Sequence, residues 1–204
     1  VTNPQRHDIT IVQGATFAPD YYWYSQLVSK AITAVTPGLP TSFTATAHGL
    51  PTQPVPAWFQ SLKGSISQIN TLGPPGNVAD GEYTMITRTS VNTFDALLLN
   101  TDGLVYTSGG YVLFYGVRDL TGYTGRAQIR ATRESTTTLV DLTTANTGIV
   151  IDAANGAVGM RITAAATAAL DFSCAVYDLE LIDGSGAVTR LMYGDVKLFK
   201  ETTR

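Results

Sequence analysis

The run Val176-Tyr-Asp-Leu-Glu-Leu-Ile-Asp-Gly-Ser-Gly-Ala-Val-Thr-Arg-Leu-Met-Tyr193 decides the fold. Its first half alternates apolar and polar side chains with period two, the signature of a strand with one buried face. Asp183-Gly-Ser-Gly186 then supplies the glycines of a tight turn, and Val188 to Tyr193 reads as the returning strand. Asp178 and Glu180 lie on one side of the first strand. Arg190 falls on the partner strand, so a cross-strand ion pair is the simplest use of these charges.

The same texture extends outward on both sides. Gly125 to Arg130 alternates, Leu139 to Leu142 is followed by a Thr/Asn/Gly cluster, and Ile149-Val-Ile151 runs into Asp152-Ala-Ala-Asn-Gly156. Asn155 and Gly156 accept positive φ readily, which makes that cluster a hairpin turn returning along Ala157 to Ile162. Val196 to Phe199 adds a further strand. Strands spaced by about 8 to 12 residues with such turns predict a sandwich or barrel. Thr163 to Leu170 is the one helical segment, with Thr163 as its N-cap and a run of alanines behind it. At about two turns it cannot stand alone, so it is expected to plug one end of the sandwich.

Proline divides the chain. All nine prolines precede residue 76, and seven lie between Pro37 and Pro75. A proline-free C-terminal part fits regular paired strands, which cannot spare backbone donors. The first 26 residues share that C-terminal texture: Asp8 to Val12 alternates, Gln13 to Phe17 turns, and Tyr21-Tyr-Trp-Tyr24 reads as an aromatic strand. Between them lie strand candidates at Ala31–Thr36, Ser42–Ala47, Tyr83–Arg88, Thr93–Leu99 and Tyr111–Tyr115, and a long proline-bearing loop over 51–82. The two ends of the chain thus share one texture, and the proline-bearing stretch between them has another.

Composition narrows the function classes. The chain has 204 residues, 44% of them hydrophobic and 14% charged, with a net charge of −3. So low a charge, with no basic patch, argues against a nucleic-acid binder. No apolar run approaches the roughly 20 residues of a membrane helix. The opening stretch lacks the basic start and apolar core of a secretory leader, so synthesis in a cytoplasm is expected. One cysteine, Cys174, allows no internal disulfide and is expected to be a small buried hydrophobe.

His7 and His48 fall in different modules, and with Cys174 they do not make a metal-ligand pattern. His48, just before Gly49, suits a turn-capping role. Ser108 and Ser185 occur in turns rather than in a G-x-S-x-G elbow. The carboxylates Asp178 and Glu180 could serve glycoside hydrolysis only with the right separation, and the ion pair with Arg190 explains them more simply. The turns Asp80-Gly-Glu82 and Asn100-Thr-Asp-Gly103 lack the dense oxygen pattern of a calcium loop, and no phosphate-binding loop occurs. No catalytic residue, metal or cofactor is therefore expected. The binding candidates are aromatic: Tyr21 and Trp23 on one side of the aromatic strand, and Trp58 and Phe59 in the proline-bearing loop, all read as interface residues.

Asp8-Ile-Thr-Ile-Val-Gln-Gly-Ala-Thr-Phe17 and Asp119-Leu-Thr-Gly-Tyr-Thr-Gly-Arg-Ala-Gln-Ile-Arg130 resemble the Ig-like β-sandwich at the N-terminus of some bacteriophage baseplate and tail-attachment proteins. Asp141 to Thr144, Ile149 to Gly156, Val176 to Leu181 and Val188 to Leu191 belong to the same resemblance. In that family the first hairpin runs almost directly into the Asp-Leu-Thr-Gly-Tyr segment, whereas here about 90 residues intervene. Those residues resemble, at Ala31–Val35, Phe43–Leu50, Val91–Phe94 and Tyr106–Tyr111, a small β-barrel module recurring in phage structural proteins. That module is similar in fold to the first catalytic-cysteine half-domain of ubiquitin-activating enzymes. Residues 51–82 depart from the pattern.

The resemblance implies an all-β chain, an Ig-like antiparallel sandwich domain over 1–26 plus 116–204 interrupted by a small β-barrel module over 27–115, with at most one or two short helices. It also implies a virion structural protein of the tail, neck or baseplate, made in the host bacterial cytoplasm. Its partners would be other phage virion proteins, with a homo-oligomer or symmetric ring in the particle, and neither nucleic acid nor membrane. A head decoration protein and a carbohydrate-binding module for host recognition are the alternatives.

Overall fold

The computed structural model describes residues 4–70 and 83–202. The chain is all-β. Sixteen strands, one short α-helix and one 3-10 turn occur among the described residues. In chain order the strands begin with β1 (Gln5–Arg6), β2 (Ile9–Val12), β3 (Asp20–Tyr22), β4 (Tyr24–Ala31), β5 (Ala34–Thr36), β6 (Thr41–Thr44), β7 (Val55–Gln60) and β8 (Thr84–Arg88). They continue with β9 (Thr93–Ala96), β10 (Tyr111–Val117), β11 (Thr124–Arg130), β12 (Thr138–Thr143), β13 (Ile149–Asp152) and β14 (Ala157–Met160). Helix α1 (Ala164–Ala168) follows, and then β15 (Cys174–Ile182) and β16 (Val188–Phe199).

The chain divides into two compact units, one of residues 1–23 with 119–204 and one of residues 24–118. The expected junctions near residues 27 and 116 fall inside β4 and β10. These strands pair from Tyr24↔Val117 to Ala31↔Tyr111 and belong whole to the second unit.

In the first unit β1, β16, β15, β11 and β12 form one sheet, with β2 also on β16, and β13, β14 and β3 form a second. β1 and β2 run parallel to β16, and the other pairs are antiparallel. Alternation along β15 sends Tyr177, Leu179 and Leu181 inward. They share one core with Ile9 and Ile11 from β2, Ile129 from β11, Val196 and Leu198 from β16, and Val158 and Met160 from β14. This is the sandwich. The step from β1 to β2 passes Gly194, where an added Cβ would lie 2.2 Å from the carbonyl oxygen of His7. Glycine is required there by close backbone approach.

α1 is capped as expected: the Thr163 side chain accepts from the Ala166 N–H. Buried Thr167 donates from its hydroxyl toward the carbonyls of Ala15 (2.8 Å) and Ala164 (2.9 Å), and the Gln13 side chain donates to the Leu170 carbonyl. The helix is thereby tied to the turn after β2. Cys174 departs from expectation, since it is exposed. It opens β15 on the face opposite Ala175 and Tyr177, and strand register places it outward.

The second unit is a single curled sheet in the order β4-β10-β7-β8-β9-β6-β5, antiparallel throughout. Its inward face is aromatic. Phe43 stacks on Phe59 at 4.5 Å and on Phe94 at 5.3 Å between ring centroids, with Ile86, Val112 and Phe114 packed in the same core. The proline-bearing loop expected over 51–82 is corrected over its first part, which contains β7 and a 3-10 turn at Ser65–Ile69. Within β7, Pro56 lies beyond the end of the ladder with β10 and opposite Met85 in the ladder with β8. Residues 71–82, including Pro74, Pro75 and the Asp80-Gly-Glu82 turn, lie outside the described residues.

Candidate functional site

Of the four aromatic residues expected at an interface, Trp23, Trp58 and Phe59 are buried within their own units and Tyr21 is half-buried. Tyr21, on β3, is half-buried against the sandwich core, with its ring edge-on to His7 at 5.4 Å. Trp23 is 8% exposed and belongs to that core; its backbone N–H donates to the Gly156 carbonyl, and its ring meets Tyr123 edge-on at 6.5 Å. The aromatic run is also not one strand. It breaks at Trp23, between β3 and β4, which leaves Tyr22 and Tyr24 exposed.

Trp58 and Phe59 stand in β7 rather than in a loop, and both are 2% exposed. Strand alternation separates them. Phe59 enters the barrel core. Trp58 takes the outward face, opposite Leu113 on β10, with its ring edge-on to Tyr115 at 6.1 Å and tilted to Tyr83 at 6.3 Å.

That outward face is the surface sequence reasoning missed. Tyr111, Leu113 and Tyr115 alternate along β10, Gln60 and Trp58 lie opposite Tyr111 and Leu113 on β7, and Met85 lies opposite Pro56 on β8. Tyr83, Met85, Tyr111 and Tyr115 are exposed, around a sealed floor of Trp58 and Leu113. The signal was available in the alternation of Tyr111-Val-Leu-Phe-Tyr115, since Val112 and Phe114 go to the core. Tyrosines with an apolar ring and a free-standing polar tip suit a surface that meets another molecule.

Other candidates resolve into local structure. His48 is 1% exposed; its Nδ1 accepts from the Leu50 N–H at 3.0 Å, so Nε2 carries the proton and donates to the Thr93 carbonyl at 3.2 Å. This is the turn cap the sequence suggested, and burial lowers the imidazole's pKa. Ser185 donates to Asp183 at 2.6 Å, within its turn, and that hydrogen bond lowers the Asp183 pKa. Asn100 likewise accepts from the Asp102 N–H. Asp178 is paired with Arg190 at 3.2 Å, as the sequence suggested, and Glu180 with Arg126 at 2.7 Å. His7 and His48 belong to different units. Among the described residues no three His, Cys, Asp or Glu side chains are grouped to hold a metal ion.

Comparison with known proteins gave no matching family model and no matching curated protein.

Proposed function

We propose that this chain is a bacteriophage virion structural protein of the tail, neck or baseplate region, which works by docking onto neighbouring virion proteins. The observation that carries the reading is the outward face of the curled sheet, where Tyr83, Met85, Tyr111 and Tyr115 are exposed around Trp58. The unit's own core is built from the opposite face, so these side chains are available to a partner. Tyr and Met are enriched where proteins meet. The phrases resembling phage baseplate sandwiches, and the barrel-like module set into that sandwich, support the same role. Symmetric assembly with other copies follows from the way such particles are built. In this reading the protein has no catalytic step and needs no cofactor.

The same tyrosines favour one second reading, a carbohydrate-binding module, because clustered aromatic faces stack on sugar rings as they do on bases. Incubating the purified protein with host polysaccharide separates these readings. The structural role predicts neither release of reducing ends nor saturable binding. Turnover would overturn it in favour of an enzyme, and saturable binding without turnover would favour the module.

A further inference from the structure

We propose that the outer face of the sandwich's six-stranded sheet carries an anion-binding groove that takes the carboxylate side chains of an acidic peptide segment in a partner protein. The groove has a volume of about 500 Å³ and is lined by Arg126, Arg130, Arg133 and Arg190 together with Asp178 and Glu180. Register builds it. β11 sends Ala127 and Ile129 to the core and Arg126 and Arg130 outward; β15 sends Leu179 inward and Asp178 and Glu180 outward. Cross-strand pairing sets Arg126 beside Glu180, and Glu180 beside Arg190. Arg133, in the loop after β11, places its guanidinium 5.4 Å from the centroid of the Tyr193 ring on β16. Its side chain therefore extends across β15 toward β16 on that face.

The charges do not cancel. Four arginines face two carboxylates, in a chain whose net charge is −3. Arg126 uses Nε and Nη2 on the same oxygen of Glu180, at 2.8 and 2.7 Å, and Arg190 pairs with Asp178. Arg130 and Arg133 have no carboxylate among the described residues. Arg130 donates to the neutral Gln128 side chain and to the Ser135 carbonyl, and the nearest acid in that network, Asp141, is reached only through Gln128. Three bonds fix the Arg130 fork and leave two of its five N–H donors for another acceptor. A guanidinium held in place by neutral groups, with donors to spare, is preorganised for a carboxylate.

The groove also selects among anions. Asp178 and Glu180 on its wall repel a densely charged polyphosphate, whereas spaced carboxylates can sit at Arg130 and Arg133 and avoid them.

The test uses the whole chain and a short blocked peptide alternating Glu and Ser, with its Gln counterpart and inorganic sulfate as comparisons, followed by calorimetry at two salt concentrations. The Glu peptide is expected to bind with an affinity that falls as salt rises. Arg130→Gln and Arg133→Ala are each expected to weaken it about tenfold. Arg88→Ala, in the other unit, is expected to leave it unchanged, and an unaltered melting temperature checks that each variant folds. Equal binding of the Gln peptide, indifference to both groove substitutions, or saturation by sulfate with no peptide affinity would overturn the proposal. The groove is independent of the virion reading: a chain absent from the particle can still bind the peptide, and a particle protein can fail to.

Discussion

His48 makes stability depend on pH. Its folded pKa lies below the ordinary value of 6.5, chiefly through burial, with Arg88 and Lys30 acting in the same direction. The unfolded chain therefore takes the proton first as pH falls, so stability is level above about pH 6.5 and declines below it, by at most about 1.4 kcal/mol per pH unit. Protonation would also remove the Nδ1 lone pair that holds the Leu50 N–H. Thermal melts from pH 7.5 down to 5 are expected to show this decline, and His48→Ala to abolish it at a cost of about 1–3 kcal/mol for the unpaired groups. Asp8, Asp119, Asp171 and Asp183 have pKa values lowered by hydrogen bonds, so their contribution is lost only as pH falls below about 4. Single residues were legible where a local rule governs them. Thr163 was identified as a cap and Asp178 as an ion-pair partner. Cys174 and Trp58 were not, because their exposure depends on strand register and on cross-strand neighbours, which local composition does not specify.

Elements were read best where alternation is undisturbed. β15, β16, β13 and β14 follow the expected pattern with its turns. β7 was hidden because Pro54 and Pro56 weigh against a strand. The parallel seating of β1 and β2 on β16 was also beyond the sequence, since the pattern of a strand does not name its partner. That seating depends on Gly194, whose hydrogens alone fit against His7. Gly194→Ala is expected to push β1 from β16 and to cost about 1–3 kcal/mol, read by chemical denaturation. The His7 amide, bonded to the Tyr193 carbonyl at 2.8 Å, should then lose its protection from hydrogen exchange.

The whole molecule rests on two separate aromatic and aliphatic cores, one in each unit. Proline usage hints at two textures but does not mark this division, since it stops at Pro75, inside the second unit. Tyr24, which opens the second unit, and Val117, one residue before its end, are cross-strand partners and so lie about 5 Å apart. A short Gly/Ser linker in place of 24–118 is expected to leave a folded sandwich. Trp23 is then the only tryptophan, and its fluorescence should keep the blue-shifted emission of a buried indole. Emission at the wavelength of free indole would show that the sandwich needs its insert. Function was the least legible level, since docking surfaces are made by strands that meet only in the fold. The central claim is that the protein serves by docking within a virion, and a density map of the intact particle tests it most directly. The account predicts both units fitted into a symmetric ring of copies at the tail, neck or baseplate, with Tyr83, Tyr111 and Tyr115 against a neighbouring chain. A particle without the protein, or one that leaves these tyrosines facing solvent in every copy, would contradict it.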